Sequence, residues 1–162
     1  MKNIFELHLR ISPPDESQLE TLEQKIDFLY SAHGTFHALT CWSSGDDALS
    51  AAQRTYELLS SHGLVTLYAF EDLVTRQEIA ERLSVSRQAV SNWIRKVRRG
   101  PNNLPFPTPS NPAGGGLWSW KDINEWASSM PGTDEKIRHL GLKDVAQLNA
   151  WIVSSEQKQH VA

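Results

Sequence analysis

The sequence predicts an α+β protein, with strands and helices alternating in its first part and a purely helical pattern in its second. Apolar residues recur at every second position in short stretches before residue 72, and at every third or fourth position after it. The chain has 162 residues, which suits one medium domain or two small ones. We place an α/β domain at 1–72, a second domain at 73–130 and a C-terminal helical extension at 131–162. The first domain is expected to serve dimerisation, partner binding or ligand binding.

The N-terminal part contains five elements in the order β-α-β-α-β. Gly34 is expected to end the first helix, and Asp46 or Asp47 to cap the second. The strands are predicted at 4–11, 35–42 and 64–70, and the helices at 15–31 and 46–61. Helices interleaved with strands favour a layered unit, which we expect to be ferredoxin-like with one strand missing or merged.

Charge is distributed unevenly along the chain. Residues 1–72 hold four basic and eleven acidic side chains, a balance of −7, whereas residues 73–100 hold seven basic and two acidic ones, a balance of +5. The remaining residues balance at −1, which completes the net charge of −3. The basic segment is typical of a surface that binds polyanions, although a solvated charged face would have the same composition.

Two short helical patterns lie within this basic segment. Thr75 and Glu78 predict a capping box that starts a helix over residues 76–82. Ser86 is the expected N-cap of a second helix over residues 87–98, whose inner face holds Val90, Trp93, Ile94 and Val97. Two short helices joined by a tight turn form the helix-turn-helix motif.

The outer side of the second helix is polar. Arginine pairs with guanine, and asparagine or glutamine with adenine, in the major groove. We expect base contacts from Arg87, Gln88, Ser91, Asn92 and Arg95. We expect contacts to backbone phosphates from Arg76, Ser86, Lys96, Arg98, Arg99 and Lys121. The alternative is an antiparallel helix pair that binds nothing.

The string EIAERLSVSRQAVSNWI resembles the helix-turn-helix of bacterial and phage regulators. The following FPTP and LWSWKDINEW resemble the winged helix-turn-helix of the MerR and excisionase type, as in small actinobacterial and phage proteins. The resemblance covers residues 73–130 and implies a wing that contacts DNA, with Asn102, Asn103 and Asn111 as candidates. Ser84 departs from the pattern, because glycine often fills this turn position; a positive φ there would cost roughly 1 kcal/mol.

Residues 100–116 are rich in proline and glycine, so taken alone they could form a disordered linker. Against this, Phe106 interrupts the polar run, and three tryptophans that are costly to expose follow at positions 118, 120 and 126. We expect these rings to pack on the helix-turn-helix, and Ser119 with Asp122 to form a further capping box. Residues 134–153 have a helical pattern that could pack on this chain or on another subunit.

Other classes of function find little support in the sequence. The single cysteine, Cys41, excludes an internal disulfide and is expected to be buried, and the six histidines lack the spacing of metal ligands. We therefore expect no enzyme activity, no cofactor and no metal. The sequence shows no signal peptide and no apolar run of the ~20 residues that span a bilayer, so we expect a cytoplasmic, nucleoid-associated protein.

These observations predict a sequence-specific, repressor-like regulator of transcription that binds double-stranded DNA as a homodimer. Two alternatives remain open. The first is an excisionase-like protein that bends DNA. The second is an antitoxin or adaptor that binds a protein partner through the acidic residues 1–72.

Overall fold

The computed structural model describes residues 2–96 and 99–161, with side chains up to residue 156. The chain divides into two compact units. The first joins Met1–Glu71 with Leu142–Ala162, and the second is the continuous stretch Asp72–Gly141. Within the described ranges, no helix is both long and apolar enough to cross a membrane.

The first unit is an antiparallel sheet with helices. Its strands are β1 (Asn3–Ile11), β2 (Phe28–His33), β3 (Phe36–Gly45) and β4 (Thr66–Ala69), and its helices are α1 (Glu16–Glu23), α2 (Ala48–Ser61) and α6 (Leu142–Val161). The strands lie in the order β2-β3-β1-β4. The alternation predicted for residues 4–11 is confirmed, because Phe5, Leu7, Leu9 and Ile11 are all buried.

The helix predicted at 15–31 is wrong beyond its first turns. Helix α1 ends at Glu23, and the chain then forms β2, which pairs with β3 in a hairpin. Gly34, at φ +61°, turns this hairpin instead of ending a helix. The order is therefore β-α-β-β-α-β, because the strand-forming residues 28–30 find their partner in β3, which follows them in the chain.

Within the first unit, helix α6 packs against α2 and β4. The side-chain amide of Asn149 accepts from the backbone N–H of Ala69 at 2.7 Å and donates to its carbonyl at 2.9 Å. Trp151 meets Tyr56 edge-to-face at 4.9 Å. The helical pattern predicted over 134–153 is wrong at its start, because residues 137–139 form strand β7 and α6 begins only after Gly141.

The second unit contains the predicted helix pair. Its elements are β5 (Leu73–Val74), α3 (Arg76–Arg82), α4 (Arg87–Ile94), β6 (Trp118–Ser119), α5 (Trp120–Trp126) and β7 (Ile137–His139). Strands β5 and β6 pair antiparallel. One apolar cluster joins α3, α4 and α5, and it includes Ile79, Leu83, Val90, Trp118 and Ile123.

The proline-rich segment is anchored to this cluster and is not a free linker. The indole N–H of Trp118 donates to the carbonyl of Pro107 at 3.0 Å, and that of Trp126 donates to the carbonyl of Leu104 at 2.9 Å. Phe106 contacts both rings. The expected packing of the tryptophans on the helix-turn-helix is therefore confirmed.

The capping box predicted at Ser119 and Asp122 does not form. Ser119 is the N-cap of α5, but its side chain makes no capping hydrogen bond. Its hydroxyl is buried without a hydrogen-bond partner among the described residues. Ser119 also belongs to β6, where it pairs with Leu73, and the residue is buried.

Candidate nucleic-acid interface

Helix α3 is fixed at both ends. At its start, Thr75 and Glu78 exchange side-chain and backbone hydrogen bonds of 3.2 Å, so the predicted capping box is present. At its end, the guanidinium of Arg82 binds both carboxylate oxygens of Asp72, at 2.6 and 3.2 Å, and lies over the ring of Trp120. The helix is therefore a rigid support for the element that follows.

The turn after α3 contains a residue in the left-handed conformation. Ser84 has φ +55°, and the next amide, that of Val85, donates to the carbonyl of Ala80 at 2.9 Å. Ser86 then caps α4, its hydroxyl accepting from the amide of Ala89 at 3.0 Å. This turn sets the direction in which α4 leaves the support.

Helix α4 is shorter than predicted. It ends at Ile94, with Arg95 as C-cap and Lys96 in the left-handed conformation at φ +61°. The predicted helix of residues 87–98 is therefore wrong over its last turn, because the chain turns at a lysine that no sequence signal marks. Val97 and Arg98 lie outside the described residues.

The inner side of α4 is held by apolar contacts. Val90 is fully buried, and Trp93 and Ile94 pack partly buried against the core cluster. The ring of Trp93 meets Trp126 edge-to-face at 4.9 Å and stacks with Phe106 at 6.3 Å. These contacts fix the rotation of α4 about its axis.

The outer side of α4 carries the residues predicted to contact bases. Arg87, Gln88 and Arg95 are exposed, and Ser91 and Asn92 are half-exposed. The amide nitrogen of Gln88 donates to Asn92 Oδ1 at 3.0 Å, and the guanidinium of Arg95 donates to the same oxygen at 3.2 Å. The structure thus places three of the five side chains in one hydrogen-bonded row on the helix surface.

The residues predicted to contact phosphates are in varied surroundings. Ser86 and Lys96 are exposed at the two ends of α4. Arg76 is partly buried at the start of α3, where its Nε atom has no hydrogen-bond partner in the described part of the chain. Lys121, on α5, forms an ion pair with Glu125 at 3.0 Å.

Lys96 and Arg99 lie together beside the end of α4. With the rings of Trp93, Phe106 and Trp126 they line a cavity of about 320 Å³. Arg99 is exposed and contacts Asn103 through its guanidinium, at 3.3 Å to Oδ1. Two cations therefore lie close together near the C-terminal end of α4.

The three asparagines predicted for the wing have different surroundings. Asn102 is exposed, and its amide nitrogen donates to the carbonyl of Ser128 at 3.2 Å. Asn111 accepts from the backbone of Ala113 at 2.8 Å and shapes a turn. Asn103 is exposed in the left-handed conformation at φ +57°, and its side chain binds Arg99.

Two glycines, Gly100 and Gly132, allow close packing next to the site, and the sequence alone does not predict this role. A Cβ atom on Gly100 would lie 2.0 Å from the ring of Trp126, and one on Gly132 would lie 1.8 Å from the carbonyl oxygen of Arg82. Gly132 also has φ +87°. The proximity of both to the helix-turn-helix depends on tertiary packing, which no local pattern signals.

Comparison with known proteins supports this interpretation. A family model described as a homeodomain-like domain matches residues 64–105, a range that includes α3, the turn and α4. Neither the curated proteins nor the solved structures gave a significant match to the chain. Together, the match and the geometry of α3 and α4 support a helix-turn-helix that binds DNA.

Proposed function

We propose that the protein is a sequence-specific, repressor-like regulator of transcription. The observation that carries this proposal is the outer surface of α4, where five hydrogen-bonding side chains face outward from the second helix of the motif. Such a helix enters the major groove and presents its side chains to base edges.

The chemistry of these side chains suggests how a target would be distinguished. Arg87 and Arg95 suit the acceptor pair of guanine, and Gln88 and Asn92 suit adenine. The hydrogen bonds among Gln88, Asn92 and Arg95 hold these groups in register before DNA arrives. Such an arrangement reduces the conformational entropy lost on binding.

Phosphate contacts would position the helix. Lys96 and Arg99 lie beside the end of α4, and Ser86 lies at its start, so the two ends of the helix can engage the backbone on either side of the groove. Arg76 and Lys121 are further contributors in this proposal. One motif buries too little surface for high specificity, so we propose a homodimer that binds an inverted repeat.

The domain roles follow the division of the chain. We propose that Asp72–Gly141 is a DNA-binding domain of the winged, MerR- or excisionase-like type, with the exposed Asn102 and Asn103 as wing candidates. We propose that the first unit is ferredoxin-like, since β-α-β-β-α-β is the element order of that arrangement. We also propose that the protein has a bacterial or phage origin. Its proposed location is the cytoplasm, at the nucleoid.

An excisionase-like role is the second candidate. It is favoured by the anchoring of residues 100–116 through Trp118 and Trp126. A loop fixed in this way could contact a second groove of the DNA. Such a protein would bind direct repeats and bend DNA. An adaptor role is the third candidate, favoured by the balance of −7 over residues 1–72, which would attract a basic protein.

Selection of bound fragments from a random pool of duplex DNA tests the proposal. We expect enrichment of an inverted repeat with half-sites about one helical turn apart. Enriched direct repeats, together with bending in a permuted-fragment gel, would favour the excisionase-like role. Recovery of no preferred sequence, with equal binding to every fragment, would contradict the assignment of α4 as the helix that contacts bases.

A further inference from the structure

Strand β2 forms one edge of the sheet in the first unit. The strands lie in the order β2-β3-β1-β4, so β2 pairs with β3 on one side and with no other strand in the described part of the chain. An edge strand presents unpaired backbone N–H and C=O groups, which are a template for another strand.

The hairpin geometry identifies these groups. Gly34, at φ +61°, is the first residue of a two-residue turn, and His33 pairs with Phe36 across it. In such a hairpin the flanking pair is hydrogen-bonded, and hydrogen-bonded residues then alternate along the strand. His33, Ser31 and Leu29 therefore direct their backbone groups at β3. Those of Phe28, Tyr30 and Ala32 point away from the sheet.

Strand β2 lacks the features that usually protect an edge. Its sequence, FLYSAH, contains no lysine, no proline and no acidic residue, and its pairing with β3 shows no bulge. Leu29 is 64% exposed and Tyr30 is 38% exposed. The opposite edge differs, because β4 is short and its pairing with β1 is irregular after Arg10.

We propose that β2 pairs antiparallel with β2 of a second copy of this chain, which joins the two sheets into one. The inference deepens the homodimer of the proposed function and rests on it. The register that places Tyr30 opposite Tyr30 of the second copy also pairs Phe28 with Ala32 in both directions. It uses every outward backbone group of the strand and brings two aromatic rings together on the symmetry axis.

Two observations favour a second copy over a different partner. Antiparallel pairing of a strand with itself is two-fold symmetric, so one edge satisfies both sides of the interface. A basic partner would be drawn to the carboxylates of the first unit, but β2 itself has none. Two copies joined through their first units would also supply the two helix-turn-helix motifs that an inverted repeat requires.

Substitution of Ala32 by proline tests the pairing. Ala32→Pro removes an outward N–H and leaves the β2–β3 hydrogen bonds in place, since proline is tolerated at an edge strand in this orientation. We expect self-association of the full chain, measured by sedimentation equilibrium, to weaken roughly tenfold or more, because each copy loses a hydrogen bond to the other. Ala32→Val keeps the N–H, and we expect it to remain dimeric.

Hydrogen exchange of the wild-type amides gives a second measurement that needs no variant. We expect the N–H groups of Phe28, Tyr30 and Ala32 to be protected at high concentration and to lose this protection on dilution. If Ala32→Pro fails to fold, this measurement decides. Amides that exchange equally fast at all concentrations would overturn the inference.

The possible outcomes separate this inference from the proposed function. A wild-type dimer with a monomeric, folded Ala32→Pro supports the β2 interface. If Ala32→Pro is as dimeric as Ala32→Val, the β2 interface is wrong while a dimeric regulator stands. A wild-type chain that stays monomeric would overturn both the interface and the homodimer. The selection of bound DNA tests sequence recognition independently of all three results.

Discussion

Helices α3 and α4 are neighbours of similar length, yet they are held in different ways. Helix α3 is fixed at its start by its own capping box and at its end by the pairing of Arg82 with Asp72, which precedes the helix. On α4 only Val90 is fully buried, and the polar side chains of its outer surface bind one another. The first helix is therefore a support, and the second keeps its outward hydrogen-bonding groups on the surface.

This difference has an energetic meaning. Replacing a side chain that the core surrounds should lower the stability of the protein, whereas replacing one on the outer surface of α4 should lower only the affinity for DNA. The two helices thus offer matched positions at which stability and recognition can be measured separately.

The largest effect is expected in the apolar cluster on which both helices pack. Trp118 is 1% exposed and belongs to the cluster that joins α3, α4 and α5. We expect Trp118→Ala to reduce the free energy of unfolding of the second unit by about 3–5 kcal/mol, measured by urea denaturation. Trp93→Ala, at a partly buried ring, should cost less; equal losses would show that the cluster does not have its centre at Trp118.

A matched pair of glutamines sharpens the comparison. Gln77 on α3 and Gln88 on α4 are both exposed, and each binds the side chain four residues later, Glu81 at 3.1 Å and Asn92 at 3.0 Å. We expect Gln88→Ala to weaken binding to the selected site by about 1–3 kcal/mol, with little change on random DNA.

Gln77→Ala serves as the control, and we expect it to leave both affinities unchanged. Fluorescence anisotropy with the selected duplex and a scrambled one measures the difference. If the two variants lose the same affinity, or if Gln88→Ala weakens binding to both duplexes alike, Gln88 does not contact a base.

The smallest effect is expected in the turn between the helices. Ser84 has φ +55°, which glycine adopts without strain. We expect Ser84→Gly to raise the free energy of unfolding by roughly 0.5–1 kcal/mol and to leave DNA affinity unchanged. Ala89→Gly, inside α4, should have the opposite sign, because glycine weakens a helix interior. A destabilised Ser84→Gly protein would mean that the serine side chain stabilises the turn in another way.

The sequence predicts the helix pair well because its signals are local. Thr75 with Glu78 and Ser86 at the start of α4 act within one helical turn, and both caps form as expected. The end of α4 is different. Lys96 adopts the left-handed conformation without being glycine or asparagine, so its turn depends on the packing around it and not on its own preference.

The first unit was harder to predict because its residues 26–29 have an apolar spacing that fits a helix as well as a strand. The apolar residues at 26 and 29 have helical spacing, but β2 is defined by its ladder with β3. The burial of Cys41 was predicted and is confirmed, and this burial raises the pKa of its thiol to about 12. Which side chains contact DNA stays a prediction, since exposure on α4 is necessary for contact but not proof of it.

The division of the chain also affects the order in which the two units fold during synthesis. The first unit is discontinuous, because α6 supplies contacts to α2 and β4 from beyond residue 141, whereas Asp72–Gly141 is one uninterrupted stretch. During translation the central unit can complete its core while the amino-terminal sheet still waits for its last helix. A polypeptide whose synthesis stopped at that stage would therefore have a folded helix-turn-helix unit and an incompletely folded first unit.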